Sequence, residues 1–278
     1  MKFFKPENIE TLVQSIDAQS SKRYYLAGGT DINVQIKNGM IKNAEIIYIN
    51  HIPELYGISE SEDFIQIGAT TTFFDIIKSD LIKKYLPFFQ KSLEAFASPL
   101  LQASATIGGN IANGSPTADV LPLLLVTKAK LELKSNSGNR QIPIDMFFTG
   151  YKKNVMHTNE LISSIIISKN AEKGYQNFYE KVGARKSLTI AKVALAGLKK
   201  ESDEKIEEII LAVGSLNEYP RRLYKIEEYV TGKKLTEIDF KTVDELLQKE
   251  ITPITDLRSD KEYRYHVCVN LIRSFLNL

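Results

Sequence analysis

The chain has few residues that could bind a metal or form a disulfide. Its 278 residues include one cysteine, Cys268, and three histidines. A single cysteine excludes a disulfide within the chain and an iron–sulfur cluster held by the chain's own thiolates. The histidines, His51, His157 and His266, are far apart in sequence and lack metal-ligand spacing, so we predict no metal site. We expect Cys268 to be a small buried hydrophobic residue, because it lies in an apolar C-terminal pattern.

The chain also lacks long runs of basic residues and long runs of apolar residues. The 36 basic and 34 acidic residues nearly cancel, leaving a net charge of +2 without a long basic run. This balance argues against nucleic-acid binding. The start of the chain is too polar for a signal peptide, and apolar runs such as residues 121–126 are far below membrane-spanning length. We therefore expect a cytoplasmic protein that does not bind membranes.

What the chain does contain is two segments with paired glycines. The first is Ala27-Gly-Gly-Thr-Asp31, placed between a predicted strand and a predicted helix. The second covers residues 106–119, and we interpret it as a long polar loop. It includes Gly108 and Gly109 and four side chains that can donate hydrogen bonds: Thr106, Asn110, Asn113 and Ser115. Backbone amides freed by glycine, together with neutral side-chain donors, suit a diphosphate.

Neither segment has a common nucleotide-binding signature, and a glycine pair alone often marks an ordinary turn. Two carboxylates need an explanation of their own, because a carboxylate repels a phosphate. Helix capping is the simple interpretation for both Asp31 and Asp119. The functional interpretation for Asp119 is that it accepts hydrogen bonds from ribose hydroxyls.

The pattern of predicted elements changes near residues 168–174, and the length suffices for two domains. Before that point, strands at 24–27, 46–49 and 64–67 and at 130–134 alternate with helices at 7–18, 32–38, 72–78, 87–97 and 119–126. Beyond it, strands at 175–182 and 206–213 precede helices at 221–230, 239–249 and 259–276, and a strand at 161–167 leads up to it. The last helix starts with a capping-box pattern, Ser259 to Glu262. The segment 189–198 is ambiguous between helix and strand. Strands followed by helices indicate a separate α+β domain.

The two glycine segments resemble those of the FAD-binding subunit of the molybdenum hydroxylases, a family that includes xanthine dehydrogenase and the carbon monoxide dehydrogenase medium subunit. The resemblance continues through Phe148-Thr-Gly-Tyr151, residues 160–165 and the segment 179–193. It extends over Pro220-Arg221, Gly232-Lys233 and residues 253–264. Nearly the whole chain is covered in order, which is more specific than any single loop.

The resemblance implies an α+β fold with FAD as the cofactor. Residues 1–170 would form an FAD-binding domain of the p-cresol methylhydroxylase type, built from two α/β subdomains. Residues 171–278 would form a small C-terminal domain with an antiparallel sheet plus helices. The first pyrophosphate loop would consist of Ala27, Gly28, Gly29, Thr30, Asp31, Ile32 and Asn33. The diphosphate and the adenosine side would be held by Thr106, Gly108, Gly109, Asn110, Asn113 and Asp119.

Two further residues would reach the flavin end. Ile162 would pass near the ring, and Lys181 would approach it from the second domain. A lysine beside the flavin N1 and C2 carbonyl would stabilise the anionic reduced ring and raise its potential. The simple interpretation of Lys181 is a solvated lysine on a strand. No residue of this chain would act as a catalytic nucleophile or acid.

By the same resemblance, the chain would be the electron-transfer subunit of a hetero-oligomeric molybdenum hydroxylase of the xanthine or purine dehydrogenase kind. The iron–sulfur clusters would lie on a two-iron-two-sulfur small subunit and the molybdopterin on a large subunit. The electron acceptor would be NAD, oxygen or a quinone. Two alternatives stay open: a self-contained flavoprotein reductase on the same FAD fold, and a non-catalytic nucleotide-binding assembly module.

Overall fold

The computed structural model describes residues 1–16, 22–185 and 188–278. Its strands are β1 (Lys2–Phe4), β2 (Arg23–Leu26), β3 (Glu45–Tyr48), β4 (Ile58–Glu60), β5 (Phe64–Gly68), β6 (Lys130–Ser135), β7 (Gly138–Pro143), β8 (Phe148–Gly150), β9 (Lys153–Asn154), β10 (Leu161–Ser168), β11 (Gln176–Val182), β12 (Val193–Ser202), β13 (Lys205–Gly214) and β14 (Arg221–Arg222). Its helices are α1 (Ile9–Ser15), α2 (Ile32–Lys37), α3 (Phe73–Lys78), α4 (Asp80–Tyr85), α5 (Pro87–Leu93), α6 (Pro99–Gln102), α7 (Ile107–Asn113), α8 (Val120–Val126), α9 (Tyr224–Val230), α10 (Phe240–Gln248) and α11 (Lys261–Leu276). Short 3-10 turns occupy Pro53–Leu55, Ile144–Met146 and Leu235–Glu237.

The chain forms two compact units that alternate along the sequence. Unit 1 consists of Met1–Asn113, Ala129–Phe147 and Asn154–Lys169, and unit 2 consists of Gly114–Lys128, Phe148–Lys153 and Asn170–Leu278. Two stretches that precede residue 170, 114–128 and 148–153, therefore pack with the C-terminal part of the chain.

Unit 1 contains two sheets. One is a parallel sheet in the order β1-β3-β2, and the other is an antiparallel sheet in the order β4-β5-β10-β6-β7. Helix α1 buries Ile9, Leu12 and Val13 in the same apolar cluster as Ile47 of β3. The Asn8 side chain caps α1 by accepting the Thr11 amide at 2.8 Å. Helix α1 confirms the central part of the helix predicted for residues 7–18. Residues 17 and 18 of that prediction lie outside the described residues.

The first glycine segment lies at the carboxyl edge of the parallel sheet. It connects β2 to α2, which confirms the predicted order of strand, tight turn and helix. Gly29 adopts φ of +73°, a left-handed conformation that favours glycine. The carboxyl edge is where open parallel sheets of α/β proteins bind ligands.

Residues 107–113 of the second glycine segment form a helix, α7, so the predicted long loop was wrong there, whereas residues 114–119 lie outside helices and strands. The Thr106 side chain caps α7, because its Oγ1 accepts the Gly109 amide at 3.2 Å. Ile107 and Ile111, four residues apart, are fully buried. A Cβ on Gly108 would lie 2.6 Å from the Cβ of Ala69, so glycine is required for close helix packing rather than for a loop. The apolar spacing was present in the sequence, and the glycine pair concealed it.

Unit 2 is built on an antiparallel sheet in the order β11-β12-β13-β14. Residues 193–199 are all buried because the sheet is covered on both faces. Gly197 lies against Phe275 of α11, and Gly214 lies against Pro122 of α8. A strand covered on both faces shows no polar alternation, which is why the segment 189–198 was ambiguous.

The helices after this sheet differ in detail from the prediction. Arg221 and Arg222 form β14, so α9 begins only at Tyr224. The predicted capping box is wrong as well, because Asp260 caps α11 by accepting the Tyr263 amide at 2.6 Å. Cys268 is buried as predicted, and burial raises the pKa of its thiol. Among the described helices, none is long and apolar enough to cross a membrane.

The nearly buried carboxylate of Glu160, which lies in the loop before β10, connects that loop to Arg140 of β7 in unit 1. Arg140 donates to both oxygens of Glu160, at 2.6 and 2.8 Å, and the His157 amide adds a bond of 2.7 Å. Burial alone would raise the pKa of Glu160, but these donors outweigh it and hold the pKa below its ordinary value of 4.5. Since the folded-state pKa is the lower one, the carboxylate stabilises the fold above pH 4.5 and this contribution is lost on further acidification.

Replacing Glu160 by Gln should therefore lower the free energy of unfolding by about 2–3 kcal/mol at pH 7, since bonds to a charged group are lost. The difference from the parent protein should shrink as the pH falls below 4, because the parent carboxyl then becomes protonated. Urea unfolding at several pH values measures both effects. Replacement of the exposed Glu62 by Gln is the control and should change little. A difference that stays constant with pH would contradict the assignment.

Candidate functional site

In unit 1, the first glycine segment touches the residues just before α7. A Cβ on Gly28 would lie 1.7 Å from the carbonyl oxygen of Ser104 and 3.3 Å from the Cα of Ala105. The main chains thus touch where the first segment passes the residues that lead into α7. Any side chain at position 28 would force them apart, so this glycine has a steric function.

The first segment has a row of open backbone amides. From Gly28 to Ile32, none of the amides donates a hydrogen bond to an acceptor in the described part of the chain. The helix α2 begins only with the bond from the Asn33 amide to the Gly29 carbonyl, 3.2 Å long. Consecutive open amides around a left-handed residue form a concave donor surface that suits an anion.

The sequence suggested that Asp31 caps α2, but in the structure it does not. It occupies the position before α2, but its carboxylate makes no bond to the first-turn amides. It accepts a hydrogen bond from the Gln35 side chain one turn later. The amides of the first turn are consequently left open.

In contrast, the backbone amides at the start of α7 are already used. The Gly108 amide donates to the Ala69 carbonyl at 2.9 Å, and the Asn110 amide donates to the Thr106 carbonyl at 3.0 Å. The amides of Ile107 and Gly109 are bonded as well, to Thr71 and Thr106. The expectation that both segments offer backbone amides therefore fails at the start of α7, where the four amides from Ile107 to Asn110 are bonded within the protein.

The side chains of α7 include an unsatisfied buried group. The Oδ1 atom of Asn110 is inaccessible to solvent and has no hydrogen-bond partner among the described residues. Asn113, the last residue of α7, also makes no side-chain hydrogen bond within them. A buried acceptor without a donor costs free energy, and a ligand N–H or O–H group would satisfy it. The residues of unit 1 thus fit a ligand with both an anionic group and polar hydrogens.

In unit 2, Asp119 and Lys181 form a nearly buried ion pair. The Lys181 Nζ lies 2.5 Å from Asp119 Oδ2, and the two side chains are 9% and 13% exposed. Burial raises the pKa of Asp119, and the Lys181 ammonium opposes this rise. Neither simple interpretation holds, because Lys181 is not solvated and Asp119 makes no capping bond to α8.

The sequence had placed Asp119 on the adenosine side of the ligand and Lys181 at the flavin end. Because their side chains form one ion pair, these two expected positions cannot be far apart. The sequence analysis also missed Tyr179, whose hydroxyl donates to the Asp119 carbonyl at 3.1 Å. Its spacing of two residues from Lys181 on a predicted strand was the available signal, since such residues share a face.

Two other residues predicted to bind or approach the ligand, Ser115 and Ile162, have fewer atoms available for it than expected. The Ser115 hydroxyl is engaged with Thr117, accepting its amide at 3.3 Å and lying 3.1 Å from its hydroxyl. Ile162 lies in β10, paired with Leu133, and is only 5% exposed. Most of the Ile162 side chain is therefore packed inside the protein.

Comparison with known proteins identifies the family and its cofactor. Residues 1–169 match the FAD binding domain in molybdopterin dehydrogenase, and residues 178–278 match the CO dehydrogenase flavoprotein C-terminal domain. The chain belongs to this family of FAD-binding subunits. Its cofactor is FAD, and it is an oxidoreductase subunit. The recognised family and the predicted two-domain α+β fold class are thereby confirmed.

The relatives align with this chain over almost the full length of both proteins. The xanthine dehydrogenase FAD-binding subunit of Escherichia coli O157:H7 is 27% identical, over 96% of this chain and 92% of that protein. The glyceraldehyde dehydrogenase medium chain of Sulfolobus acidocaldarius is 29% identical, over 95% and 93%. Carbon monoxide dehydrogenase from Hydrogenophaga pseudoflava, in a form lacking the Mo-pyranopterin moiety, superposes with a TM-score of 0.92 at 27% identity, covering 100% of this chain and 96% of the other.

The two glycines of α7 should respond differently to the same substitution. Gly108→Ala brings a methyl group against Ala69 and should destabilise the fold by about 1–3 kcal/mol. Gly109 is exposed, and its added Cβ would approach only the Thr106 Oγ1, at 2.8 Å. Gly109→Ala should therefore disturb only the Thr106 cap and lower the melting temperature less than Gly108→Ala does, while weakening FAD binding. Thermal unfolding and FAD titration of the two variants measure this contrast. Unchanged FAD affinity in Gly109→Ala would remove the exposed side of α7 from the site.

Proposed function

We propose that this chain is the FAD-carrying electron-transfer subunit of a hetero-oligomeric molybdenum hydroxylase. The observations that carry the proposal are the row of open amides from Gly28 to Ile32 and the unsatisfied Oδ1 of Asn110, both in unit 1. Together they offer many donors for a diphosphate and one acceptor for a polar hydrogen of the same ligand. FAD, when bound, supplies reversible electron transfer at its isoalloxazine ring.

In the proposed site, the segment from Ala27 to Asn33 binds the pyrophosphate. The backbone amides donate to it, and the exposed side chains of Thr30 and Asn33 add neutral donors. The carboxylate of Asp31 is held by Gln35, which keeps its charge engaged away from the amides. Donors fixed by the backbone need no reorganisation when the anion arrives.

The second segment contributes side chains only. Asn110 and Asn113 have free amide groups, and the Thr106 hydroxyl can still donate its proton while accepting from Gly109. Gly108 keeps α7 close to Ala69, and Gly109 keeps the exposed side of the helix free of a side chain. We propose that this surface holds the remaining polar part of FAD. Ile162 contributes at most the edge of its side chain.

In unit 2, we propose that Asp119 and Lys181 act together at the flavin end. The Asp119 carboxylate orients the Lys181 ammonium, and Tyr179 fixes the Asp119 main chain. The ammonium favours a negative charge on the ligand, and the carboxylate opposes it. The two charges thereby set the flavin potential in opposite directions.

The partners follow from what the chain does not contain and from its relatives' names. One cysteine cannot hold an iron–sulfur cluster, so we propose that electrons arrive from a two-iron-two-sulfur small subunit. The relatives are named as a subunit and as medium chains, which supports a further large subunit with molybdopterin. We propose xanthine or another purine as the reducing substrate and NAD as the acceptor.

Opposite shifts of the flavin potential should follow from two single substitutions. Lys181→Met removes the cation and should lower the midpoint potential, whereas Asp119→Asn removes the anion and should raise it. A shift of about 30 mV corresponds to a tenfold change in preference for the reduced form of a two-electron couple. Potentiometric titration of the FAD absorbance measures both. Shifts of the same sign, or no shifts, would contradict the proposed position of the pair.

Isolation of the native complex tests the function itself. Native mass spectrometry should find this chain with FAD, a small iron–sulfur chain and a large molybdopterin chain. Anaerobic xanthine should bleach the flavin absorbance, and NAD should restore it. A yellow chain isolated without partners would favour the self-contained reductase. A chain that takes up no FAD would favour the non-catalytic nucleotide-binding module.

A further inference from the structure

Arg264, in α11 of unit 2, is a charged residue in the interior. It is 2% exposed. Its Nη1 donates to the carbonyl oxygens of Lys192 and Ser215, at 2.8 and 3.1 Å, and its Nη2 donates to Asp256 Oδ1 at 2.8 Å. Burying a guanidinium is costly unless it is paired and hydrogen-bonded. The three acceptors offset this cost, and they hold the Arg264 side chain in one arrangement.

The two carbonyls belong to the ends of neighbouring strands. Lys192 immediately precedes β12, and Ser215 immediately follows β13. The Lys192 amide donates to the Val182 carbonyl at the end of β11, at 2.8 Å. Val182 is the residue after Lys181. The guanidinium therefore binds the corner of the sheet from which the Lys181 side chain extends.

Ser215 connects this corner to the segment that carries Asp119. Its amide donates to the Pro116 carbonyl at 2.8 Å, and its hydroxyl donates to the Ala191 carbonyl at 3.0 Å. The residue has φ of +69°, a conformation that a residue with a Cβ rarely adopts. Such a conformation persists only where the surroundings impose it, and Arg264 binds the carbonyl of this residue.

We propose that Arg264 is a positioning residue for the cofactor, which holds Asp119 and Lys181 in register through the Ser215 and Lys192 carbonyls. The inference rests on the proposed role of that ion pair toward FAD. One side of the pair depends on the contact from Ser215 to Pro116, and the other depends on the contact from Lys192 to Val182. A single guanidinium bonded to both strand ends keeps the distance between them constant.

Lysine cannot replace arginine in this position. The planar guanidinium directs Nη1 and Nη2 along separate lines, toward two carbonyls and one carboxylate. An ammonium is a single point charge on a flexible stem, so it loses at least one of these contacts. Asp256 also accepts the amides of Arg258 and Ser259, at 2.8 and 3.2 Å, which anchors the carboxylate independently of Arg264.

The test uses the full chain, stripped of FAD and titrated with FAD by calorimetry. Arg264→Lys should weaken FAD binding about tenfold, which corresponds to the loss of one bond to a charged group. Arg258→Gln is the matched control, because Arg258 contacts the same Asp256 at 3.5 Å but its side chain is 48% exposed. The control should bind FAD as the parent protein does.

A double substitution separates positioning from a general structural role. In the Asp119→Asn background, Arg264→Lys should weaken FAD binding less than about threefold, because the group through which it acts is already altered. A full tenfold loss in both backgrounds, or none in the parent, would overturn the inference. Should Arg264→Lys fail to fold, Asp256→Asn takes its place, with a loss of about threefold expected in the parent because both carbonyl bonds of Arg264 remain, and no further loss in the Asp119→Asn background. Failure of the proposed function looks different, since Asp119→Asn and Lys181→Met would then each leave FAD affinity and potential unchanged.

Discussion

The candidate site of unit 1 depends on a main-chain approach that only glycine permits. A Cβ at position 28 would lie 1.7 Å from the Ser104 carbonyl oxygen, so the first glycine segment can reach the residues before α7 only because that atom is missing. This approach fixes the segment that carries the open amides against the chain that leads into α7. The donor surface is thus a product of backbone packing, and it exists before any side chain contributes to it.

Binding of this kind works with dipoles rather than with net charge. In the proposed site, the groups of unit 1 that would face FAD are the backbone amides from Gly28 to Ile32 and the neutral side chains of Thr106, Asn110 and Asn113. In unit 2, the positive charge of Lys181 is balanced by Asp119 within the same pair. Fixed dipoles stabilise an anion without attracting free phosphates from a distance, since no excess of positive charge creates a long-range field.

Much of the local structure follows from patterns in the sequence, and the errors have physical causes. The apolar spacing of α1 and the turn after β2 were recognisable, as was the buried Cys268. The polar stretch at residues 106–113 suggested a loop, yet Thr106 caps a helix there and Gly108 packs against Ala69. The strand β12 lacked alternation because both of its faces are buried. In each case a contact from elsewhere in the chain overrode the local pattern.

The sequence by itself determined the family, the FAD cofactor and the two segments in which to look for the site. Only the tertiary structure decided which amides are open, because the partners that occupy those of α7, Ala69 and Thr71, come from a distant part of the chain. It also decided that Asp119 and Lys181, separated by 62 positions, form one pair. Hydrogen bonds and ion pairs depend on distances of a few ångströms, and for residues so far apart along the chain those distances are set by packing.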